Sequence, residues 1–164
     1  MLLITYWNSK MKSELQKKLI ETYPHFFTAD RKIYIGEKPV VEEVQELLDQ
    51  KEIVLPIQFG FECSDGWYML LDQLMASIES HLNPGNSWPR KERTPLQIMQ
   101  IKEKFGGLRF YYSGGDDVVR GMVQLAESLS YEICEHCGST KNIMQTEGWI
   151  TTLCEDCRSI KKNK

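Results

Sequence analysis

The chain has 164 residues, 41% hydrophobic and 26% charged, with a formal net charge of −3, values of a globular domain that can bury a core. No apolar run is long enough to cross a membrane, and the start, MLLITYWNSK, turns polar too soon for a secretory signal, so the cytoplasm is the expected compartment. Charge is uneven: residues 33–66 hold eight acids and two bases, and 131–164 hold five of each, so no basic stripe argues for nucleic acid.

In chain order, Asn8 or Ser9 is positioned to cap a first helix running to about Thr22, with Met11, Leu15, Leu19 and Tyr23 on one face and Pro24 ending it. Ile33–Ile35 reads as a short strand. Pro39 fits the first turn of a second helix with Val40, Val44, Leu47 and Leu48 inward. Glu52–Phe61 reads as an edge strand, because it contains Pro56.

The clearest helix covers Asp65–Leu82, where Trp67, Leu70, Leu71, Leu74, Met75, Ile78 and Leu82 recur at helical spacing. A polar loop, Asn86–Arg93, follows Asn83-Pro84-Gly85. Leu96–Lys102 and Leu108–Ser113 alternate as strands of a hairpin, joined by the turn Glu103–Gly107. Phe110 and Tyr112 should face one side of it, Arg109 and Tyr111 the other. Gly114-Gly115 breaks the second strand, and Asp116 or Asp117 caps a last long helix to about Ser130. Val118, Met122, Leu125, Ala126 and Leu129 are its expected buried stripe.

Cys134-Glu-His-Cys137 and Cys154-Glu-Asp-Cys157 form a C-x2-C-x16-C-x2-C pattern. Two thiolates two residues apart can reach one tetrahedral ion from a tight turn, and four sulfurs close its coordination sphere. The expectation is one structural zinc per chain on Cys134, Cys137, Cys154 and Cys157, with a rubredoxin-like iron centre as the alternative. His136, between two ligands, is read as a surface residue. Cys63 follows the same logic of context: Glu62 and Asp65 flank it and oppose a thiolate, so it reads as a small buried hydrophobe.

The fold class is therefore α+β: a small, mostly antiparallel sheet packed by three or four helices, with a C-terminal zinc ribbon. The expected division is an α+β domain over 1–130 and the ribbon, docked on it, over 131–164.

Phe61–Leu74, Ile101–Tyr112 (IKEKFGGLRFYY) and Cys134–Cys157, with Gly148-Trp149-Ile150-Thr151-Thr152-Leu153-Cys154, resemble a family of uncharacterised proteins from bacteria and their phages. The resemblance covers roughly residues 60 to 157. It implies a metal-ligand pair at each end of the ribbon, some members having His where this chain has Cys157, and a phage or prophage origin. It implies no catalytic residue.

The expected function is non-enzymatic binding of a host or bacterial protein, with counter-defence as one form of it. The expected contact surface is Trp88, Arg90, Lys104 and Arg109, which join an aromatic anchor to guanidinium groups on loops. Two alternatives stand beside it: a nucleic-acid-binding accessory protein, and a small enzyme with a site near Glu62, Cys63 and Asp65. No membrane partner is expected.

Overall fold

The computed structural model describes residues 10–27, 34–35, 38–39, 60–83 and 95–162. Among these, four α-helices accompany a three-stranded sheet and a two-stranded C-terminal hairpin, so the α+β class is as expected. The helices are α1 Ser13–Thr22, α2 Tyr68–Leu82, α3 Asp117–Leu129 and α4 Glu155–Lys162. No helix among the described residues is long and apolar enough to cross a membrane.

Helix α1 starts at Ser13, later than expected; Asn8 and Ser9 lie outside the described residues. Its start is stabilised from a distance, because the Lys12 N–H donates to an Asp65 carboxylate oxygen at 2.8 Å and the Lys12 ammonium lies 3.0 Å from the other oxygen. Asp65 thus supplies the partner that a helix N-terminus lacks. The stripe Met11, Leu19 and Tyr23 is buried, with Leu15 packed against it. After Pro24 the chain makes a single 3-10 turn, Pro24–Phe26, and buries Phe26 and Phe27.

Two residues, Tyr34–Ile35 (β1), pair antiparallel with Lys38–Pro39 (β2). Pro39 is therefore opposite Tyr34 rather than in the first turn of a helix. The rest of that expected helix, and residues 52–59 of the expected strand, lie outside the described residues. Phe61–Glu62 (β3) lies parallel to β4 (Leu96–Lys104), and β4 runs antiparallel to β5 (Gly107–Gly114).

The β4–β5 turn is tighter than expected. Lys104 pairs with Gly107, leaving Phe105 and Gly106 as the two loop residues, with φ of 54° and 77°. Positive φ at both positions is the geometry that matches the twist of a two-residue hairpin, and the Gly106 N–H is held by the Glu103 carboxylate at 2.6 Å. A bulge between Ile98 and Gln100 interrupts the register. Beyond it Phe110 is buried while Tyr111 is exposed, the alternation that the sequence predicts.

Strand β5 is an edge, and α3 covers it. Ser130 Oγ accepts from the Leu108 N–H (2.8 Å), and the Glu127 carboxylate accepts from the Phe110 N–H (2.9 Å). Side chains at the helix end thereby satisfy strand donors that would otherwise lie unpaired. Asp116 caps α3 by accepting from the Val119 N–H at 3.0 Å, and His81 at the end of α2 meets the same carboxylate at 2.8 Å. The inward face of α3 is Val119, Val123 and Ala126, with Met122 half-buried; Val118, Leu125 and Leu129 are exposed. The expected stripe is out of phase, because α3 packs through the face that also carries Glu127 and Ser130 toward β5. Helix α2 packs through the expected face: Leu71, Leu74, Met75, Ile78 and Leu82 are buried and Leu70 is half-buried, while the expected first residues, Asp65–Trp67, form a 3-10 turn that buries Trp67.

Candidate metal centre

The first cysteine pair follows α3 almost at once. A 3-10 turn, Ser130–Glu132, leads to Cys134, and the Gly138 N–H returns to the Cys134 carbonyl at 2.8 Å. Gly138 has φ of 78°, a conformation in which a side chain would be strained. The second pair sits differently from the second knuckle that the ribbon pattern suggests. Cys154 ends strand β7 (Thr152–Cys154), which pairs with β6 (Ile143–Gln145), and Cys157 lies in the first turn of α4. A strand-to-helix corner therefore delivers Cys154 and Cys157 to the turn that carries Cys134 and Cys137.

All four Sγ atoms lie within 4.8 Å of one another, with Cys137 and Cys154 at 3.6 Å. The cluster is placed to hold one metal ion. Cys134, Cys154 and Cys157 are buried and Cys137 is exposed, while His136 is exposed and outside the cluster. Burial raises the Cys137 and Cys157 thiols. It opposes ionisation of Cys154 too, but the Cys157 N–H and the neighbouring thiols outweigh it and hold Cys154 below its ordinary value. Metal binding at such a site displaces protons from the thiols, so affinity falls as pH falls.

Glu135 is the residue that sequence reasoning missed. It is buried, its N–H donates to the Thr152 carbonyl at 2.9 Å, and its carbonyl accepts from the Gly66 N–H at 2.8 Å. Its carboxylate accepts from the Ser64 N–H at 3.0 Å, and burial pushes its pKa up despite that bond. A carboxylate between two metal ligands ordinarily reads as solvated, and nothing in the local sequence marks it as a brace. Here it fastens the metal-binding turn to the residues that open α2.

Gly66 makes that approach possible. A Cβ at this position would stand 2.2 Å from the Cys134 carbonyl, 2.5 Å from the Glu135 carbonyl and 2.5 Å from the Gly138 nitrogen. These are backbone atoms with nowhere to turn. Gly66→Ala is expected to destabilise by about 3 kcal/mol, the upper end of overpacking, and to weaken metal retention. Gly121, in α3 with nothing within 4 Å of its Cβ position, is the control: Gly121→Ala should stabilise by about 0.5–1 kcal/mol. Urea unfolding of both variants checks the pair.

The other expected site residues fall in separate places. Glu62 accepts from Gln100 Nε2 at 2.8 Å across the β3–β4 pair, and Asp65 serves Lys12. Cys63 between them is fully buried, and its thiol is raised by burial first and then by Glu135, Asp65 and Glu103. It is expected to resist alkylation by iodoacetamide in the folded protein at neutral pH and to react only on unfolding, read by mass spectrometry. Trp88 and Arg90 lie outside the described residues. Lys104 is exposed at the end of β4, whereas Arg109 is half-buried and donates to its neighbour's carbonyl on Leu108 (2.6 Å) and to the Tyr131 hydroxyl (3.1 Å).

No protein-family model, no curated protein and no solved structure matches this chain. The fold and the cysteine cluster therefore define the class: an α+β protein with four C-terminal cysteines placed to bind a metal ion.

Proposed function

We propose that the chain is a non-enzymatic, zinc-stabilised binding protein of phage or prophage origin that acts in the cytoplasm on a host protein, counter-defence being one form of that action. The observation that carries this reading is the all-sulfur cluster. Thiolates at about 2.3 Å from a tetrahedral zinc stand about 3.8 Å apart, which agrees with the 3.6 Å between Cys137 and Cys154. With all four positions taken by protein sulfur, no coordination site is open to water or substrate, and the metal's contribution is to folding. The buried, protonated Cys63 offers no nucleophile in its place. In this reading residues 131–164 are a zinc module docked on 1–130, and cytoplasmic reducing conditions keep its thiols available for the metal.

Metal analysis of the purified protein should find one zinc per chain, and the zinc-loaded protein should retain a specific protein from bacterial lysate that the chelated protein releases. A chain that holds iron instead, or that turns over a substrate, overturns the respective part of the proposal. Retention of nucleic acid in place of protein, with affinity falling steeply as salt rises, would select the accessory-protein alternative.

A further inference from the structure

The hairpin β6–β7 and helix α4 do more than supply the second cysteine pair. Between them lies a surface cleft of about 380 Å³, lined among others by Met144, Trp149, Arg158 and Lys161. Trp149 is 80% exposed and Met144 is also open to solvent. The backbone under Trp149 is nonetheless fixed: its carbonyl accepts from the Thr146 hydroxyl at 2.6 Å, and Thr146 Oγ1 in turn accepts from the Thr151 N–H at 2.9 Å. A large ring left in water on a tied-down turn contributes nothing to the core. Its fixed placement lowers the ordering cost of any contact it makes.

A second aromatic is brought to the same end of the molecule. Thr152 Oγ1 donates to the Gly106 carbonyl at 2.6 Å, and a Cβ on Gly106 would lie 3.1 Å from both Gln145 Nε2 and Ile150 Cγ2. The β4–β5 tip, with Phe105 65% exposed beside it, is therefore pressed against the β6–β7 tip. Exposed aromatics, Met and Arg are the side chains enriched at the energetic centres of interfaces.

The charge of the cleft selects the occupant. Arg158 and Lys161 form one wall, Lys161 being positioned by a 3.1 Å bond to Thr151 Oγ1, and Glu147 is the one carboxylate among the lining residues. Lys104 stands next to Phe105, its ammonium 5.4 Å from the ring centroid. A single-stranded nucleic acid needs cations spaced along a track for successive phosphates, whereas this cleft has two on one wall of a chain that is acidic overall. An apolar side chain flanked by carboxylates needs one aromatic-lined hole and a few cations beside it.

We infer that this cleft, anchored by Trp149 and walled by Arg158 and Lys161, with Phe105 and Lys104 on the adjoining β4–β5 turn, docks a segment of a partner protein that presents an aromatic or large aliphatic side chain between acidic residues. The inference rests on the protein-binding reading above and names its surface.

The test selects a phage-displayed random-peptide library on the immobilised metal-loaded protein, with the Trp149→Ala and Arg158→Glu variants as counter-selection. Enriched peptides should combine an aromatic or large aliphatic residue with neighbouring Asp or Glu. A synthetic copy of an enriched peptide should bind each variant at least about tenfold more weakly than the parent, with metal content and thermal midpoint unchanged. Replacing its acids by Lys should abolish binding to the parent and restore it to Arg158→Glu. The inference falls if no peptide is enriched over the variants, or if the enriched ones are neutral or basic. It also falls if Trp149→Ala abolishes binding of an oligothymidylate, or self-association of the chain, in place of peptide binding. A Trp149→Ala protein that still captures its lysate partner at full strength refutes this cleft and leaves the protein-binding reading standing. A parent that enriches acidic-aromatic peptides but retains no lysate protein supports the cleft and refutes the host-protein reading.

Discussion

Chelating the metal, or replacing Cys134 and Cys137 by Ser, is expected to unfold residues 131–162 and to loosen the start of α2. The size of the effect follows from what holds the C-terminal end together. Its buried apolar cluster consists of Leu153 with three of the cysteines, and Ile143 packs against it. Four or five small side chains cannot offset the entropy of ordering some thirty residues at about 1–2 kcal/mol each. A structural zinc contributes an apparent 10–16 kcal/mol or so at neutral pH, comparable with the whole stability of an ordinary domain, about 5–15 kcal/mol. The loss should spread, because Glu135 and Ile133 hold the Ser64 and Gly66 N–H groups and the Trp67 indole of the main core. Hydrogen exchange should rise to unprotected rates across 131–162 and increase more modestly at 64–68. An unchanged exchange pattern and thermal midpoint in the chelated protein would show that the cysteines do not hold a structural metal. Lowering the pH should have the same consequence as chelation, since protons compete for thiols that burial already raises at Cys137 and Cys157.

What the sequence made legible depends on how many solutions a local pattern permits. The spacing of Cys134, Cys137, Cys154 and Cys157 permits one cluster, and these four sulfurs are the ones brought together. The stripe of α2 is nearly as constrained, as its apolar residues other than the exposed Met69 gather on one side, with Gln73, Ser77 and Ser80 on the other. Helix α3 is apolar at Val118, Val119, Met122, Val123, Leu125, Ala126 and Leu129, which at 3.6 residues per turn is a stripe wider than the face that is buried, with Val119, Val123 and Ala126 on its inner flank and Val118, Leu125 and Leu129 on its exposed one. Periodicity cannot then choose the buried face; the edge of β5, which needs Glu127 and Ser130 as acceptors, chooses it. The Phe105-Gly106 turn escaped for a related reason. A Phe with positive φ is costly on local grounds, so only the pairing of Lys104 with Gly107 forces it. The contact surface expected from the sequence, Trp88, Arg90, Lys104 and Arg109, takes loops one at a time, and its first two residues lie outside the described residues. Trp149 and Phe105 lie 44 positions apart in the chain, and their turns meet through tertiary contacts, the bond from Thr152 to Gly106 and the packing of Gln145 and Ile150 against Gly106.

Trp67→Ala is expected to destabilise the protein by about 3–5 kcal/mol, the range for truncating a fully buried aromatic. Trp67 is the largest fully buried side chain among the described residues. It ends the 3-10 turn Asp65–Trp67 from which α2 begins, and it sits one residue after the glycine that touches the metal-binding turn. Its ring fills the core, and its Nε1–H donates to the Ile133 carbonyl at 3.1 Å, immediately before the first cysteine. The substitution therefore opens a cavity and orphans a carbonyl at the point where the C-terminal end joins the rest. Trp67→Phe separates the two contributions: it keeps most of the volume and loses the donor, so it should cost about 1–3 kcal/mol, the penalty of an unsatisfied buried acceptor. Urea titration followed by circular dichroism gives both values. Metal release during the same titration shows whether the junction transmits the damage: in the parent, unfolding and metal loss should coincide, and in Trp67→Ala metal loss should come at lower urea. A cost below about 1 kcal/mol for Trp67→Ala would mean that the indole is dispensable to the core. A normal cost with metal loss unmoved would mean that the cysteine cluster stands independently of α2.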